Sequence, residues 1–280
     1  MIDLHTHSCF SDGEYTPNEL ILKAKREGIS TIAITDHDTV LGNQNITLTK
    51  KEREEIKIIP GIELSAKVPK GQMHILGYNI DIYDKGLNAK IIELKNNSLY
   101  SVLGILVQIK KDYGITFSTE EIMNILNSKG NIGRPDIAKL CIKHQYSTTV
   151  KEAFNNYLIP ANTKISEIKK GITYEECLSI IKTAGGIPVL AHPKTLKCSD
   201  EELEHVIKRL KTNGLEGIEA YHSIHTPEEI EKYIDLANKY NLLISGGSDY
   251  HGPLVKPNIE LGTGINNNIK IKKLTITNRI

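Results

Sequence analysis

Cysteine is scarce, charge imbalance is nearly absent and long apolar runs do not occur, and each shortage excludes a class of protein. The 280 residues hold four cysteines, Cys9, Cys141, Cys177 and Cys198, far apart and without a C-x-x-C pair. A disulfide framework is therefore not expected, and reduced thiols in a cytoplasmic protein are. Basic and acidic residues number 35 and 34, for a formal charge of +1. That balance lacks the basic excess of a protein that coats long nucleic acid. It leaves room for a small phosphorylated substrate held by metals and one or two cations. No apolar run approaches the roughly 18–20 residues of a membrane span. The opening Met1-Ile2-Asp3-Leu4-His5 has neither the basic nor the apolar stretch of a secretory signal. Internal repeats and low-complexity segments are absent. No Walker motif occurs, and Gly262-Thr263-Gly264 lacks the spacing of a nucleotide-binding loop.

What is present reads as globular, with 39% hydrophobic and 25% charged residues. Short apolar runs at 2–5, 31–35, 56–60, 73–78, 187–191, 217–221 and 242–245 are candidate strands. Helical patterns separate several of them. Thr16-Pro17-Asn18-Glu19, Thr173-Tyr174-Glu175-Glu176 and Thr226-Pro227-Glu228-Glu229 each have the form of a capping box, and Gly28, Gly185 and Gly214 follow helical patterns as stops. Such alternation predicts βα units and a mostly parallel sheet or barrel. Between about 87 and 165 it lapses. Helical periodicity at 91–113, a start at Ser118-Thr119-Glu120-Glu121 and further helices at 135–144 and 150–158 predict a helical insertion. The expected division is a barrel domain of 1–86 and 166–280, with 87–165 as a helical substrate cap. A possible edge strand closes the chain at 269–276.

The histidines fall in register with the strands, often beside an acid. Asp3-Leu4-His5-Thr6-His7 places two imidazoles at i and i+2, on one face of an extended chain. Ser11-Asp12-Gly13 comes next, then Thr35-Asp36-His37-Asp38, Pro60-Gly61-Ile62-Glu63 and His74. Ala191-His192-Pro193 and Gly247-Ser248-Asp249-Tyr250-His251-Gly252 end later runs. Taken singly, each piece has an ordinary reading as turn, strand terminator or loop. Residues at the carboxyl ends of strands converge on one mouth in parallel α/β sheets and barrels. Six His, one Glu and two Asp meeting there are too many ligands for one ion, and burying them without cations would be costly. Mixed imidazole and carboxylate donors suit Zn, Mn or Fe better than Ca, and the lack of thiolates points to a catalytic site.

These motifs resemble those of the PHP (polymerase and histidinol phosphatase) domain family, from His5 to Gly252. Their order, the insertion and Gly133-Arg134-Pro135 most resemble the stand-alone phosphoesterase branch that acts on small nucleotides such as 3',5'-bisphosphates. The resemblance implies a distorted (β/α)7 barrel with a helical insertion, and two to three divalent ions (Mn, Fe or Zn). By motif, His5 and His7 would hold one ion with Glu63 and Asp249. Glu63 would bridge to a second on His74 and His192, and Asp12, His37 and His251 would hold a third. A hydroxide bridging two ions, acidified by them, would attack phosphorus in line with the leaving oxygen.

The implied activity is hydrolysis of a phosphate monoester of a small nucleotide, with no long nucleic acid and no membrane as partner. Histidinol phosphate, a cyclic phosphate or short RNA cut from its 5' end are the alternative substrates. A metal-binding protein without turnover is the non-enzymatic alternative. His222 and Asp249 are the candidate catalytic pair, His222 as proton donor to the leaving oxygen. Arg134 is the candidate phosphate grip, since a guanidinium pairs with phosphate in bidentate fashion. Lys194 is a second candidate. The family segment after Arg134 usually continues with His, where this chain has Asp136. Asp36 and Asp38 are expected to hydrogen-bond around His37 rather than ligate, His225 to lead into the following helix, and His144 and His205 to lie on the surface.

Overall fold

A computed structural model describes residues 1–129, 132–165 and 171–280, without the side chains of 128 and 129. The expected boundary at 165/166 abuts residues outside that set. The chain forms two compact units, Met1–Ala89 with Ile172–Ile280, and Lys90–Gly171.

The first unit carries seven strands where seven apolar runs predict them: β1 (Ile2–Asp3), β2 (Thr31–Ile34), β3 (Lys57–Ala66), β4 (Met73–Tyr78), β5 (Ile187–Leu190), β6 (Gly217–His222) and β7 (Leu243–Gly247). They pair in chain order. Leu4 N donates to Gly246 O at 3.1 Å, and Thr6 bridges Tyr250 in parallel, so the first and last strands meet and the barrel is nearly closed. This is the distorted (β/α)7 barrel that the resemblance implies. Strand β5 is buried at every position and reads as an unbroken apolar run, as a strand covered on both faces should.

One strand departs from the parallel expectation. β4 runs antiparallel to both β3 and β5. Only six residues separate β3 from β4, too few for the crossover that parallel pairing needs. The reversal has a functional result: β4 brings its amino end, with His74, to the mouth where the parallel strands bring their carboxyl ends.

The helices α1 (Pro17–Arg26), α2 (Leu41–Gln44) and α3 (Lys50–Glu54) lie between β1 and β3, and α9 (Tyr174–Thr183), α10 (Asp200–Thr212) and α11 (Pro227–Lys239) alternate with β5 to β7. The capping boxes at Thr16, Thr173 and Thr226 form, each threonine accepting from the N–H of a glutamate three residues on while that glutamate returns to the threonine N–H. Helix α1 buries Leu20, Ile21 and Ala24 against Ile32 and Ile34 of β2. Inside the barrel, Leu4, Leu76, Tyr78 and Val189 are fully buried, each aliphatic side chain contributing about 1.5–3 kcal/mol.

No strand forms at 269–276. Ile269, Ile271, Leu274 and Ile276 are all buried in the barrel core, but Lys272-Lys273 breaks their alternation, and the segment ends in a 3-10 turn at Thr275–Asn278. Ile2 N still donates to Ile271 O, and Ile244 N to Thr275 Oγ1.

The second unit is helical: most of α4 (Lys85–Tyr113), then α5 (Thr119–Lys129), α6 (Arg134–Lys143), α7 (Val150–Ala153) and α8 (Ile159–Lys164). Its own core gathers Val102, Ile105, Ile109, Ile137, Cys141 and Leu158. Where the sequence predicts one helix at 150–158, a π-helical turn at Phe154–Leu158 interrupts it, just before Pro160, which has no N–H to donate. Among the described residues no helix is long and apolar enough to cross a membrane.

Candidate metal centre

All nine candidate ligands come together at the mouth of the barrel. The segment after β1 brings His5, His7 and Asp12, and the segment after β2 brings His37. Glu63 stands within β3 and His74 near the start of β4. His192 follows β5, and Asp249 and His251 follow β7. Four overlapping groups have donor atoms within 4.8 Å of one another: His7, Asp12, His37 and His251; His37, Glu63 and His74; His5, Glu63 and His192; and His5, His222 and Asp249. Shared members His37, Glu63 and His5 link the groups into one cluster. Two of these residues sit in left-handed backbone that non-glycine residues rarely adopt, His192 at φ 24° and Asp249 at φ 58°.

Glu63 satisfies His5, His74 and His192 by hydrogen bonds, but other donors of the cluster are left for a divalent ion. His7 Nε2, His37 Nδ1 and His222 Nε2 are buried without a hydrogen-bond partner. Yet His7 Nε2 lies 3.2 Å from Glu63 Oε2 and 3.3 Å from Asp249 Oδ1, and His37 Nδ1 lies 3.2 Å from Glu63 Oε2. These contacts are close enough for hydrogen bonds but wrongly angled. A cation held among these closely spaced donor atoms would satisfy them.

The partners on the outer nitrogens fix which nitrogen faces inward. His5 Nδ1 donates to Glu219 Oε1 at 2.9 Å, which directs Nε2 to Glu63 Oε2 at 3.1 Å and Asp249 Oδ1 at 3.6 Å. His251 Nδ1 donates to the Asp249 carbonyl at 2.9 Å, leaving Nε2 at 3.1 Å from Asp12 Oδ1. His192 Nδ1 meets Thr195 Oγ1 at 2.9 Å; the one hydrogen of that hydroxyl has carbonyl acceptors at Gln72 and His192, so the oxygen accepts from the imidazole. All three therefore turn Nε2 inward to the carboxylates, His5 and His192 to Glu63 and His251 to Asp12, which makes Nε2 the nitrogen each would offer to a metal. His222 is arranged the other way. The Ile224 N–H donates to His222 Nδ1 at 3.2 Å, so the ring proton sits on Nε2, 3.4 Å from Asp249 Oδ2. His222 is thus held by its backbone partner with Nδ1 as the acceptor, where Nδ1 of His5 and His251 is a donor.

The electrostatics are those of a buried, mixed-charge cluster. Burial pushes the carboxyls of Asp12, Glu63 and Asp249 up, but the surrounding imidazoles, and Lys256 beside Asp249, outweigh it and hold all three well below the ordinary range. Burial pushes His7 down, but Asp249 and Glu63 bring it to about 9. At His37 burial wins over Glu63 and Asp12, and the imidazole falls to about 3.

Glu219, which no motif announces, braces this cluster, as do Asp3, Asp36 and Asp38 within the motifs, the last two by hydrogen bonds as the sequence predicts. Glu219, fully buried in β6, also accepts from the His192 backbone N–H at 2.8 Å, so one carboxylate orients two candidate ligands. Asp3 accepts from Ser248 N, Ser248 Oγ and Gly262 N, tying β1 to the segment that carries Asp249. Asp36 accepts from Ser8 N, Ser8 Oγ and Ser11 Oγ, and so holds the loop between His7 and Asp12. Asp38 accepts from Ser65 N, and its burial lifts the carboxyl to about 6.

The remaining sequence candidates are placed as follows. Lys194 Nζ donates to Glu229 Oε2 at 2.8 Å and to the Ile224 carbonyl at 3.1 Å, beside α11. His225 is buried, its Nδ1 donating to Ala220 O. His205 is exposed, and His144 caps the end of α6 and pairs with Glu121. In the helical unit, Arg134 starts α6 with its guanidinium 5.9 Å from the Phe154 ring centre. Asp136 turns its carboxylate back to the Gly133 N–H at 2.9 Å, which makes it a helix cap.

Comparison with known proteins agrees with this chemistry. The sequence model of the PHP domain family matches residues 3–211. The 5'-3' exoribonuclease Rnm of Salmonella typhimurium is 29% identical over 267 residues, covering 93% of this chain and 87% of that protein. The 3',5'-nucleoside bisphosphate phosphatase of Chromobacterium violaceum is 27% identical over 252 residues, covering 90% and 87%. A solved structure from Bifidobacterium adolescentis, described as a metal-dependent phosphoesterase, superposes with a TM-score of 0.79 at 27% identity over 94% of this chain and 91% of that one. The family match spans well over half the sequence, and the chain belongs to the PHP domain family as a metal-dependent phosphoesterase.

Proposed function

We propose that the chain removes a phosphate from a small nucleotide of the 3',5'-bisphosphate type. The observation that carries the reading is the convergence of His5, His7, Asp12, His37, Glu63, His74, His192, Asp249 and His251 on one barrel mouth. The bisphosphate phosphatase of Chromobacterium violaceum, similar along most of the chain, supports the nucleotide class.

We assign the first metal position to His5, His7, Glu63 and Asp249, the second to Glu63, His74 and His192, and the third to Asp12, His37 and His251. Mn, Fe or Zn bound there would acidify a coordinated water and neutralise phosphate charge. Glu63 is shared because its Oε1 faces His74 and His192 while its Oε2 faces His5, His7 and His37. Glu219 keeps the proton of His5 on Nδ1. His222, with its proton on Nε2, is placed to protonate the leaving oxygen. Arg134, a rigid fork suited to a phosphate, is the proposed phosphate grip.

A second reading, trimming of short RNA from its 5' end, is favoured by the similarity to Rnm. The test is turnover of the manganese-, iron- or zinc-reconstituted protein on adenosine 3',5'-bisphosphate, AMP, histidinol phosphate, a ribose cyclic phosphate and short 5'-phosphorylated RNA. Strong preference for the bisphosphate supports the first reading, and preference for the RNA supports the second. Unchanged metal-dependent turnover in Asp249→Asn or His192→Ala would remove the metal assignment.

A further inference from the structure

The segment that follows His251 carries a cation that no motif announces. Lys256 Nζ lies 2.5 Å from Asp249 Oδ2, with about a third of the side chain still exposed. Its position is built rather than incidental. Val255 N and Lys256 N both return to Gly252 O, at 3.3 and 2.9 Å, and close a turn. Glu14 Oε1 accepts from Leu254 N and Val255 N, and Glu14 N donates to His251 O. The turn is thus fastened to the loop that carries Asp12. Gly252 stands at φ 97°, and a Cβ there would come within 2.6 Å of Glu14 Cδ, so only glycine permits the fastening.

The two oxygens of Asp249 divide their neighbours. Oδ1 faces His5 Nε2, His7 Nε2 and His251 Nδ1 at 3.3–3.6 Å. Oδ2 faces Lys256 Nζ at 2.5 Å and His222 Nε2 at 3.4 Å. Ligation through Oδ1 therefore leaves the Lys256 contact intact. An ammonium has three donors, and Asp249 takes one. The carboxylate holds the lysine stem in place, and the other two N–H groups remain for an incoming anion.

We propose that Lys256 binds the phosphate of the substrate at the metal mouth, held for that purpose by Asp249 Oδ2. The proposal rests on the phosphoesterase reading above. It also assigns Asp249 two tasks, one per oxygen: metal ligation and positioning of a substrate-binding cation. Lys194, the lysine that the sequence singles out, pairs with Glu229; what sets Lys256 apart is that its partner is itself a candidate ligand.

The test compares manganese-loaded wild type with Lys256→Met, Lys256→Ala and Lys256→Arg. Inorganic phosphate is titrated by calorimetry, manganese content is measured by elemental analysis, and KM and kcat are taken on the best substrate of the panel. Losing a charge-assisted hydrogen bond weakens phosphate binding about tenfold to hundredfold. KM should rise by a similar factor, kcat should change little, manganese content should hold, and Lys256→Arg should recover most of the loss. Met preserves the apolar stem, so a thermal midpoint near wild type separates lost binding from lost folding. Unchanged phosphate affinity in Lys256→Met overturns the proposal, and a simultaneous change in manganese affinity would make Lys256 only a counter-ion to Asp249. If wild type turned over no phosphoester, the functional reading would fail, while the phosphate titration would still decide the role of Lys256.

Discussion

Glu219 offers the sharpest test of how the site is built, because it touches two candidate ligands and is not itself grouped with them. Its Oε1 accepts from His5 Nδ1 at 2.9 Å and its Oε2 from the His192 N–H at 2.8 Å, and all three residues are buried. Glu219→Gln keeps the shape and changes one donor–acceptor relation. A backbone N–H can only donate, so the amide oxygen must stay with His192. The amide NH2 then faces His5 Nδ1, which must accept. The ring proton moves to Nε2, where it points at Glu63 and Asp249 and blocks the lone pair that an ion needs.

The magnitudes follow. Loss of a partner that orients a ligand costs about 10–100-fold in metal affinity, or about 1.4–2.7 kcal/mol. Folding of the metal-free Gln variant should suffer little, since both hydrogen bonds survive in new form. Glu219→Ala should be worse in both respects: two buried donors lose their acceptor at about 1–3 kcal/mol each, for about 2–6 kcal/mol in total. The assay is manganese affinity by competition with a chelator, urea unfolding of the metal-free proteins, and nitrogen NMR of the His5 ring. Wild-type manganese affinity in Glu219→Gln, with the His5 proton still on Nδ1, would refute the reasoning.

Four further outcomes are expected. Chelation should abolish turnover and lower the thermal midpoint, with both restored by manganese, because the cluster then returns to uncompensated buried charge. Gly247→Ala should destabilise the fold by about 1–3 kcal/mol or more and reduce metal content, since its Cβ would come within 2.3 Å of His5 N; urea unfolding and elemental analysis read both. Leu76→Ala, deleting a fully buried barrel side chain opposite Glu63 in register, should cost about 2–5 kcal/mol in urea unfolding. In the helical unit, Lys143 Nζ at 2.6 Å and His144 Nε2 at 2.9 Å hold the Glu121 carboxyl at about 2, against an ordinary 4.5. A depressed acid stabilises the folded state fully above the ordinary value and loses that contribution as pH falls toward the depressed one. The stability gap between wild type and Glu121→Gln should therefore be widest above pH 5 and shrink toward pH 2 (pH-dependent unfolding measures it); a gap that widens on acidification would contradict the pairing.

The split between what the sequence reveals and what it hides has a physical basis. All seven strands are legible because each is a short apolar run bounded by turn chemistry. The nine candidate ligands are legible because imidazoles and carboxylates stand out at the ends of such runs. The direction of β4 is less visible: His74 at the start of an apolar run looks misplaced under a parallel reading, and only the short link from β3 explains it. The 269–276 segment misleads because burial of Ile269, Ile271, Leu274 and Ile276 mimics a strand, while two adjacent lysines shift its phase. Glu219 leaves a faint mark, an acid inside Gly217-Ile218-Glu219-Ala220, where an unpartnered charge would be prohibitive. Its partner His5 lies 214 positions away, so nothing local says which proton it holds. Lys256 leaves none, because a lysine in a polar loop looks the same whether it is solvated or braced. Ligands are thus announced by residue type, but the tautomers and cation placements that make them work depend on contacts that exist only once the barrel has closed. That is why exchanging a single carboxylate oxygen for an amide nitrogen at Glu219, with the ligand set untouched, is expected to weaken metal binding.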